Sequence, residues 1–240
     1  MANGLDIVRH EPTDGGRRKP YVVGIGASAG GLEAIIQLIR QLKSDTPCAY
    51  VVLQHLSPAH RSMMVEILSR ETALRVQDAG QGDVPEQGTI YVVPSNYNAI
   101  FKEGRLRLVT AQPEVVPKPS INQFLISLAA EQEDLAVGII LSGTGSDGVA
   151  GLRAIQAAGG FTFAQKPDTA KYDGMPRSAI EAGVVDHILT PEEIASRLPQ
   201  LLEIPAHDSG ATSAPDLLEV LLGKLREKLQ FDFSGYKVGT

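Results

Sequence analysis

The sequence predicts an α/β fold, a doubly wound and mostly parallel sheet (Rossmann-like) carrying a small antiparallel hairpin insertion. Three observations predict it. Short apolar runs of strand character alternate with stretches of helical periodicity along most of the chain. Three of those runs end in turns built from small and polar residues. One further pair of strand-like runs is joined by Lys102-Glu103-Gly104, which reads as a hairpin turn.

The elements follow in order. Residues 1–18 are polar, contain Arg-Arg and Gly-Gly, and read as a disordered leader without the apolar core of a signal peptide. Residues 19–205 form the main domain. Tyr21-Val22-Val23-Gly24-Ile25 is a strand that runs into Gly26-Ala27-Ser28-Ala29-Gly30-Gly31, and Leu32, Ile35, Ile36, Leu38 and Ile39 suit the helix after it. Ala49-Tyr50-Val51-Val52-Leu53 runs into Gln54-His55-Leu56, and Met63, Met64, Ile67 and Leu68 suit a second helix, with both methionines read as core packing. Thr89–Val93 and Arg105–Val109 are the two arms of the expected hairpin. Pro113, Pro117 and Pro119 mark a loop, after which Ser120-Ile121-Asn122-Gln123 opens a helix with capping-box chemistry.

The third main strand, 136–141, runs into Ser142-Gly143-Thr144-Gly145-Ser146-Asp147-Gly148. A helix through Leu152, Ile155 and Ala158 follows and stops at Gly159-Gly160. Phe161–Ala164 and Val184–Ile188 are further strands, and Thr190-Pro191-Glu192-Glu193 starts a helix with an N-cap, an N1 proline and an N3 glutamate. Residues 206–214 are a polar linker. Residues 215–240 hold one amphipathic helix, through Leu217, Leu218, Val220, Leu221, Leu225 and Leu229, and then break at Phe231-Asp232-Phe233-Ser234-Gly235-Tyr236, as if a further helical domain opens there and is cut off.

Composition removes several function classes. A net charge of -6 over 240 residues argues against a nucleic-acid backbone as the main partner. The single cysteine, Cys48, permits neither a disulfide framework nor a cysteine zinc cluster, and its apolar setting reads as a buried, inert thiol. No run approaches the ~20 apolar residues of a membrane-spanning helix, so a cytoplasmic location is expected.

The chemistry lies in the three turns. In an open parallel sheet, ligands and reactive groups gather at the carboxyl ends of the strands. Here one turn brings a serine, one a histidine and one an aspartate. Each has a commonplace role when taken alone: Ser28 as a helix cap, His55 as a strand-end histidine, Asp147 as a turn or cap residue. Together they supply a nucleophile, a base and an orienting carboxylate to one crevice. His10, His60, His187 and His207 lack such placement and read as surface or structural, and Lys166, Asp168 and Arg177 sit in polar loops.

Two glycine patterns compete with this reading. Gly24-x-Gly26-x-x-Ala29 and Gly143-x-Gly145-x-x-Gly148 both fit a dinucleotide fingerprint. The first lacks a carboxylate at the end of the second strand, where a ribose would be held about 20 residues on. The second has Asp168 near that distance, but it also places Asp147 where a pyrophosphate would lie. Gly26-x-Ser28-x-Gly30 matches a nucleophile turn, yet the order Ser28, His55, Asp147 differs from the Ser-Asp-His order of α/β-hydrolases.

The motifs Gly26-Ala27-Ser28-Ala29-Gly30-Gly31, Gln54-His55-Leu56, Ile90-Tyr91-Val92-Val93-Pro94, Leu141 to Gly148 and Gly174-Met175-Pro176-Arg177 stand in the order found in the catalytic domain of the chemotaxis protein-glutamate methylesterases, the CheB type. The chain resembles that family from about Pro20 to Leu202. The resemblance implies a doubly wound α/β fold and hydrolysis of glutamate γ-methyl esters on the cytoplasmic helices of chemoreceptors, with glutamine deamidation in many members. It implies a triad of Ser28, His55 and Asp147, an oxyanion donor in the backbone N–H of Thr144, no cofactor or metal, and a methylated chemoreceptor as partner. Neither nucleic acid nor membrane insertion is expected. The chain departs from the family pattern at Ala29, where threonine is common, and at Asn122, where aspartate is usual. The sheet begins near residue 20, so no N-terminal receiver domain is expected. The tail from Phe231 resembles the start of a CheR-type receptor methyltransferase, as in fusions of the two enzymes. A dinucleotide-binding domain and a non-catalytic docking module with an esterase fold are the alternatives.

Overall fold

The computed structural model describes residues 19–55, 63–110 and 118–202. The expected leader at 1–18, the linker at 206–214 and the tail at 215–240 lie outside these residues, as do His10, His60 and His207.

Seven strands form one sheet: β1 (Tyr21–Ala27), β2 (Cys48–Gln54), β3 (Arg75–Asp78), β4 (Thr89–Val92), β7 (Ala136–Ile140), β8 (Phe161–Gln165) and β9 (His187–Leu189). Their order is β3-β4-β2-β1-β7-β8-β9, and every neighbouring pair is parallel. The chain builds outward from β1 in both directions, so the sheet reverses its winding between β1 and β7. That is the place where doubly wound folds open a crevice.

Six helices cover the two faces: α1 (Gly31–Ile39), α2 (Met64–Ser69), α3 (Ile121–Gln132), α4 (Val149–Ala157), α5 (Gly174–Glu181) and α6 (Pro191–Leu202). On one face Ile35, Leu38 and Ile39 of α1, Leu68 of α2 and Ile194 and Leu198 of α6 pack over Val23, Ile25, Tyr50 and Val52. On the other, Phe124, Leu125 and Leu128 of α3, Leu152 and Ile155 of α4 and Met175 of α5 pack over Val22, Val51, Leu53 and Ile140. Alternate strand residues thus enter different cores, which is why these runs are apolar throughout. Among the described residues, no helix is long and apolar enough to cross a membrane.

Helix α3 lies close to its neighbours because two of them offer glycine there. A Cβ on Gly24 of β1 would stand 2.5 Å from Leu125 Cδ2 and one on Gly151 of α4 would stand 2.4 Å from Leu125 Cβ, whereas Gly138 of β7 makes room for α4, since a Cβ there would stand 2.5 Å from Leu152 Cδ2. The start of α3 keeps only half of its expected capping box. Ser120 Oγ accepts from Gln123 N at 3.3 Å, but the Ser120 N–H goes to Asn98 Oδ1 at 2.8 Å instead of to Gln123. The box at α6 is complete: Glu193 N donates to Thr190 Oγ1 at 3.2 Å and Thr190 N to Glu193 Oε2 at 2.8 Å.

The structure corrects three expectations. The hairpin pairs β5 (Tyr97–Lys102) with β6 (Arg105–Thr110), and Thr89–Val92 is instead an interior strand of the parallel sheet, with all four residues buried. The turn is where the sequence puts it, with Glu103 and Gly104 at φ +54° and +69°, as a two-residue hairpin loop requires. Second, Met64 is buried but Met63 is 61% exposed, so only one of the two methionines is core. Third, the last strand is His187–Leu189 rather than 184–188. Val184 is drawn back to the end of α5, where its N–H donates to Ala179 O.

Candidate active site

Strands β1 and β2 run in register to their last pair, Ala27 and Gln54. The next backbone bond continues the ladder: His55 N donates to Ala27 O at 2.9 Å. Ser28 and His55 therefore leave neighbouring strand ends side by side. On the opposite edge of β1, Ser28 N donates to Ser142 O at 2.9 Å, which ties the serine to the end of β7. Three strand ends meet around Ser28, at the point where the sheet reverses its winding.

Ser28 does not cap α1. The N-cap position is Gly30, at φ +68°, and Ser28 contributes its carbonyl, which accepts from Gly31 N at 2.9 Å. The same carbonyl accepts from Gln54 Nε2 at 2.6 Å, and that amide nitrogen also reaches His55 O at 3.2 Å. Gln54 projects from β2 beneath the start of α1. A Cβ on Gly31 would stand 2.4 Å from Gln54 Oε1, so glycine is required there for close approach.

His55 projects from the other face of β2. Its Nε2 lies 3.1 Å from Asp147 Oδ2, with both side chains about nine-tenths buried. Asp147 sits over the N-terminus of α3. Oδ2 also accepts from Ile121 N at 2.9 Å, and Oδ1 accepts from Asn122 N at 2.9 Å and Gly148 N at 3.0 Å. Burial pushes the Asp147 carboxyl upward, but the His55 bond and the α3 N–H donors outweigh it and hold the group below its ordinary value. An ionised carboxylate only accepts, so the proton in this contact belongs to His55 Nε2. Nδ1 is left as the basic nitrogen of the neutral ring.

Asn122 returns the contact. Its Oδ1 accepts from Gly148 N at 3.0 Å and Gly151 N at 2.9 Å, capping α4 from the first turn of α3. Asp147, in the turn before α4, caps α3. The N–H groups of Gly148 and Gly151 at the start of α4 are thus already bonded, which counts against a dinucleotide at that loop.

The Ser142–Gly148 turn is held from below. Ser142 Oγ donates to Ala29 O at 2.8 Å and accepts from Tyr172 N at 3.0 Å, and Gln165 Oε1 accepts from Ser142 N at 2.8 Å. Gly143 lies against the serine. A Cβ there would stand 2.8 Å from Ser28 Cβ and 2.3 Å from Met175 Sδ. Gly143 N is used by Tyr172 O and Gly143 O by Met175 N, whereas Thr144 N meets no acceptor among the described residues.

The remaining residues marked in the sequence lie apart from this cluster. His187 packs against Phe163, with ring centroids 5.1 Å apart. Asp168 pairs with Lys166 at 3.2 Å and Arg177 with Asp173 at 2.5 Å, all on the surface. Cys48 is buried at the start of β2, and burial pushes its thiol up to about 12. In the sequence Gln54 stands out only as part of the turn Gln54-His55-Leu56, with no role of its own. The available signal was an amide closing an otherwise apolar strand, a polar group that burial obliges to bond.

The family model described as CheB methylesterase matches residues 23–198. A protein-glutamate methylesterase/protein-glutamine glutaminase from Burkholderia orbicola is 37% identical over 193 residues, covering 80% of this chain and 57% of the relative. One of the same description from Anaeromyxobacter dehalogenans is 37% identical over 206 residues, covering 82% of this chain and 60% of the relative. The chain thus spans less than two thirds of the length of these relatives. The crystal structure of the Thermotoga maritima CheB methylesterase catalytic domain superposes with a TM-score of 0.72 at 27% identity, over 76% of this chain and 98% of that one.

Proposed function

Since the chain belongs to the CheB methylesterase family, we propose that it is a serine esterase that hydrolyses glutamate γ-methyl esters on the cytoplasmic helices of methylated chemoreceptors. The observation that carries this reading is the buried His55–Asp147 bond at 3.1 Å, beside a serine on the adjacent strand end. Ser28 Oγ attacks the ester carbonyl and passes its proton to His55. The receiving atom is Nδ1, because Nε2 is committed to Asp147. The ring is therefore used the opposite way round from the familiar serine-protease arrangement, in which the carboxylate holds Nδ1.

Asp147 fixes this tautomer and stabilises the imidazolium. The Thr144 N–H, next to the glycine that abuts Ser28, is the candidate donor to the oxyanion. His55 then protonates the departing methanol oxygen, a water that gives its proton to Nδ1 attacks the acyl-enzyme, and that proton returns to Ser28 Oγ as the acyl–oxygen bond breaks and glutamate is released. The same steps with ammonia as leaving group deamidate glutamine, the second activity in the relatives' names. No step calls for a metal or an organic cofactor, and a substrate on cytoplasmic helices supports a cytoplasmic location for the chain.

The test is methanol release from a methylated chemoreceptor cytoplasmic fragment by the parent chain and its Ser28→Ala variant. Release by the parent, lost by several orders of magnitude in the variant, supports the reading. Release that survives Ser28→Ala removes the nucleophile. No release by either favours a docking module instead.

A further inference from the structure

We propose that Asn122 is a positioning residue for the Asp147–His55 pair and that its lack of charge sets the pH at which His55 becomes a working base. The inference rests on the esterase reading and adds a residue to it.

The geometry is a reciprocal cap. Asn122 N donates to Asp147 Oδ1 at 2.9 Å, while Gly148 N, the neighbour of Asp147, donates to Asn122 Oδ1 at 3.0 Å. Gly148 N also donates to Asp147 Oδ1 at 3.0 Å. One N–H thus serves both side-chain oxygens, which must converge on it. Gly151 N adds a bond of 2.9 Å to Asn122 Oδ1. These bonds fix the turn that aims Asp147 at His55, so rotation of Asp147 would break contacts in two helices at once.

Only the oxygen of Asn122 is used. Its amide N–H groups meet no acceptor among the described residues. An aspartate of the same shape would make every one of these bonds, so what asparagine supplies beyond geometry is neutrality. Around Asp147, α3 presents only the N–H groups of Ile121 and Asn122, and α4 with its turn presents the N–H of Gly148. His55, from the end of β2, is the one charged or titratable group bearing on Asp147 among the described residues. Two helix N-termini therefore act on a single carboxylate. A second carboxylate at position 122 would share Gly148 N and add a negative charge beside the pair. It would favour the imidazolium and keep His55 protonated to higher pH.

Asn122→Asp separates charge from shape, and Asn122→Ala removes the acceptor without adding charge. The experiment records the His55 ring titration by NMR in the whole chain, with His55→Gln to assign the signal, and the pH profile of kcat/KM for methanol release. For Asn122→Asp the expected result is a rise of roughly one unit in the His55 titration, matched by the acid limb of the profile. For Asn122→Ala the expected result is a plateau about tenfold lower through kcat, with the acid limb in place. An unchanged ring titration in Asn122→Asp overturns the proposal, as does a parental plateau in Asn122→Ala. The NMR titration needs no turnover, so a chain that releases no methanol fails the esterase reading while the charge coupling is still decided.

Discussion

The side chain of Gln54 bonds the backbone of Ser28: Nε2 donates to its carbonyl at 2.6 Å and also reaches the carbonyl of His55 at 3.2 Å. One buried amide thus links the main chains of the two residues between which the proposed proton transfer runs. The other end of the amide, Oε1, is buried and meets no hydrogen-bond partner among the described residues. Leaving a buried acceptor unpaired costs on the order of 1–3 kcal/mol, so the site retains Gln54 against a stability penalty.

Gln54→Glu replaces a donor with an acceptor opposite two carbonyls, and Gln54→Leu removes both bonds. Both variants are expected to lose kcat by about 10- to 100-fold with KM little changed, because the strap orders reacting groups and does not touch the receptor. Steady-state kinetics with a methylated receptor fragment, alongside a thermal midpoint, check this. A rise in KM at constant kcat would assign Gln54 to substrate binding instead.

Asp147 connects activity to acid stability. Its carboxyl is held below the ordinary value, so its bonds stabilise the fold fully above the unfolded carboxyl range and lose that contribution as pH falls through the lower folded value. Asp147→Asn is expected to lower kcat by about 1,000-fold or more, through loss of the tautomer that presents Nδ1 to Ser28. The stability advantage of the parent over the variant should be level near neutrality and shrink below about pH 4, as thermal unfolding across pH will show.

Gly143 is expected to be intolerant of any side chain for two separable reasons. Alanine there meets Met175 Sδ and Ser28 Cβ. Gly143→Ala should lower both stability and kcat, the latter by about tenfold or more. Adding Met175→Ala removes the first clash and not the second. The double variant should therefore regain part of the thermal midpoint without regaining turnover, and recovery of both would show that the Ser28 contact is harmless.

The placement of Ser28, His55 and Asp147 is legible in the sequence because each follows an apolar run, and strand ends in a doubly wound sheet share one rim. The supporting residues are not legible in that way. Gln54 acts through the register of β1 with β2, and Asn122 acts on Gly148 across 26 residues of chain, so neither role leaves a local pattern. The hairpin shows the same boundary. Glu103-Gly104 announces a turn, but β5 contains Asn98 and is less apolar than Thr89–Val92, so apolarity alone selected the wrong arm. Asn98 pairs with Val109 in the ladder, and its buried side chain is satisfied by Ser120 N, a tertiary fact. The tail and leader, and with them the resemblance to a methyltransferase, lie outside the described residues.

The two glycines that seat α3 around Leu125 have a consequence for reading mutational scans. Gly24 and Gly151 belong to two different elements and bear no reactive group, yet a methyl group at either would press α3 from its seat and move the carboxylate its first turn holds. A screen scored on turnover alone would rank such positions with Ser28. Scored also on protein abundance, the map divides: loss at Ser28 leaves the amount of protein intact, whereas loss at these glycines reduces both. Sensitivity in this fold is thus partly a record of empty space, and a functional map drawn without an abundance channel would enlarge the active site to include it.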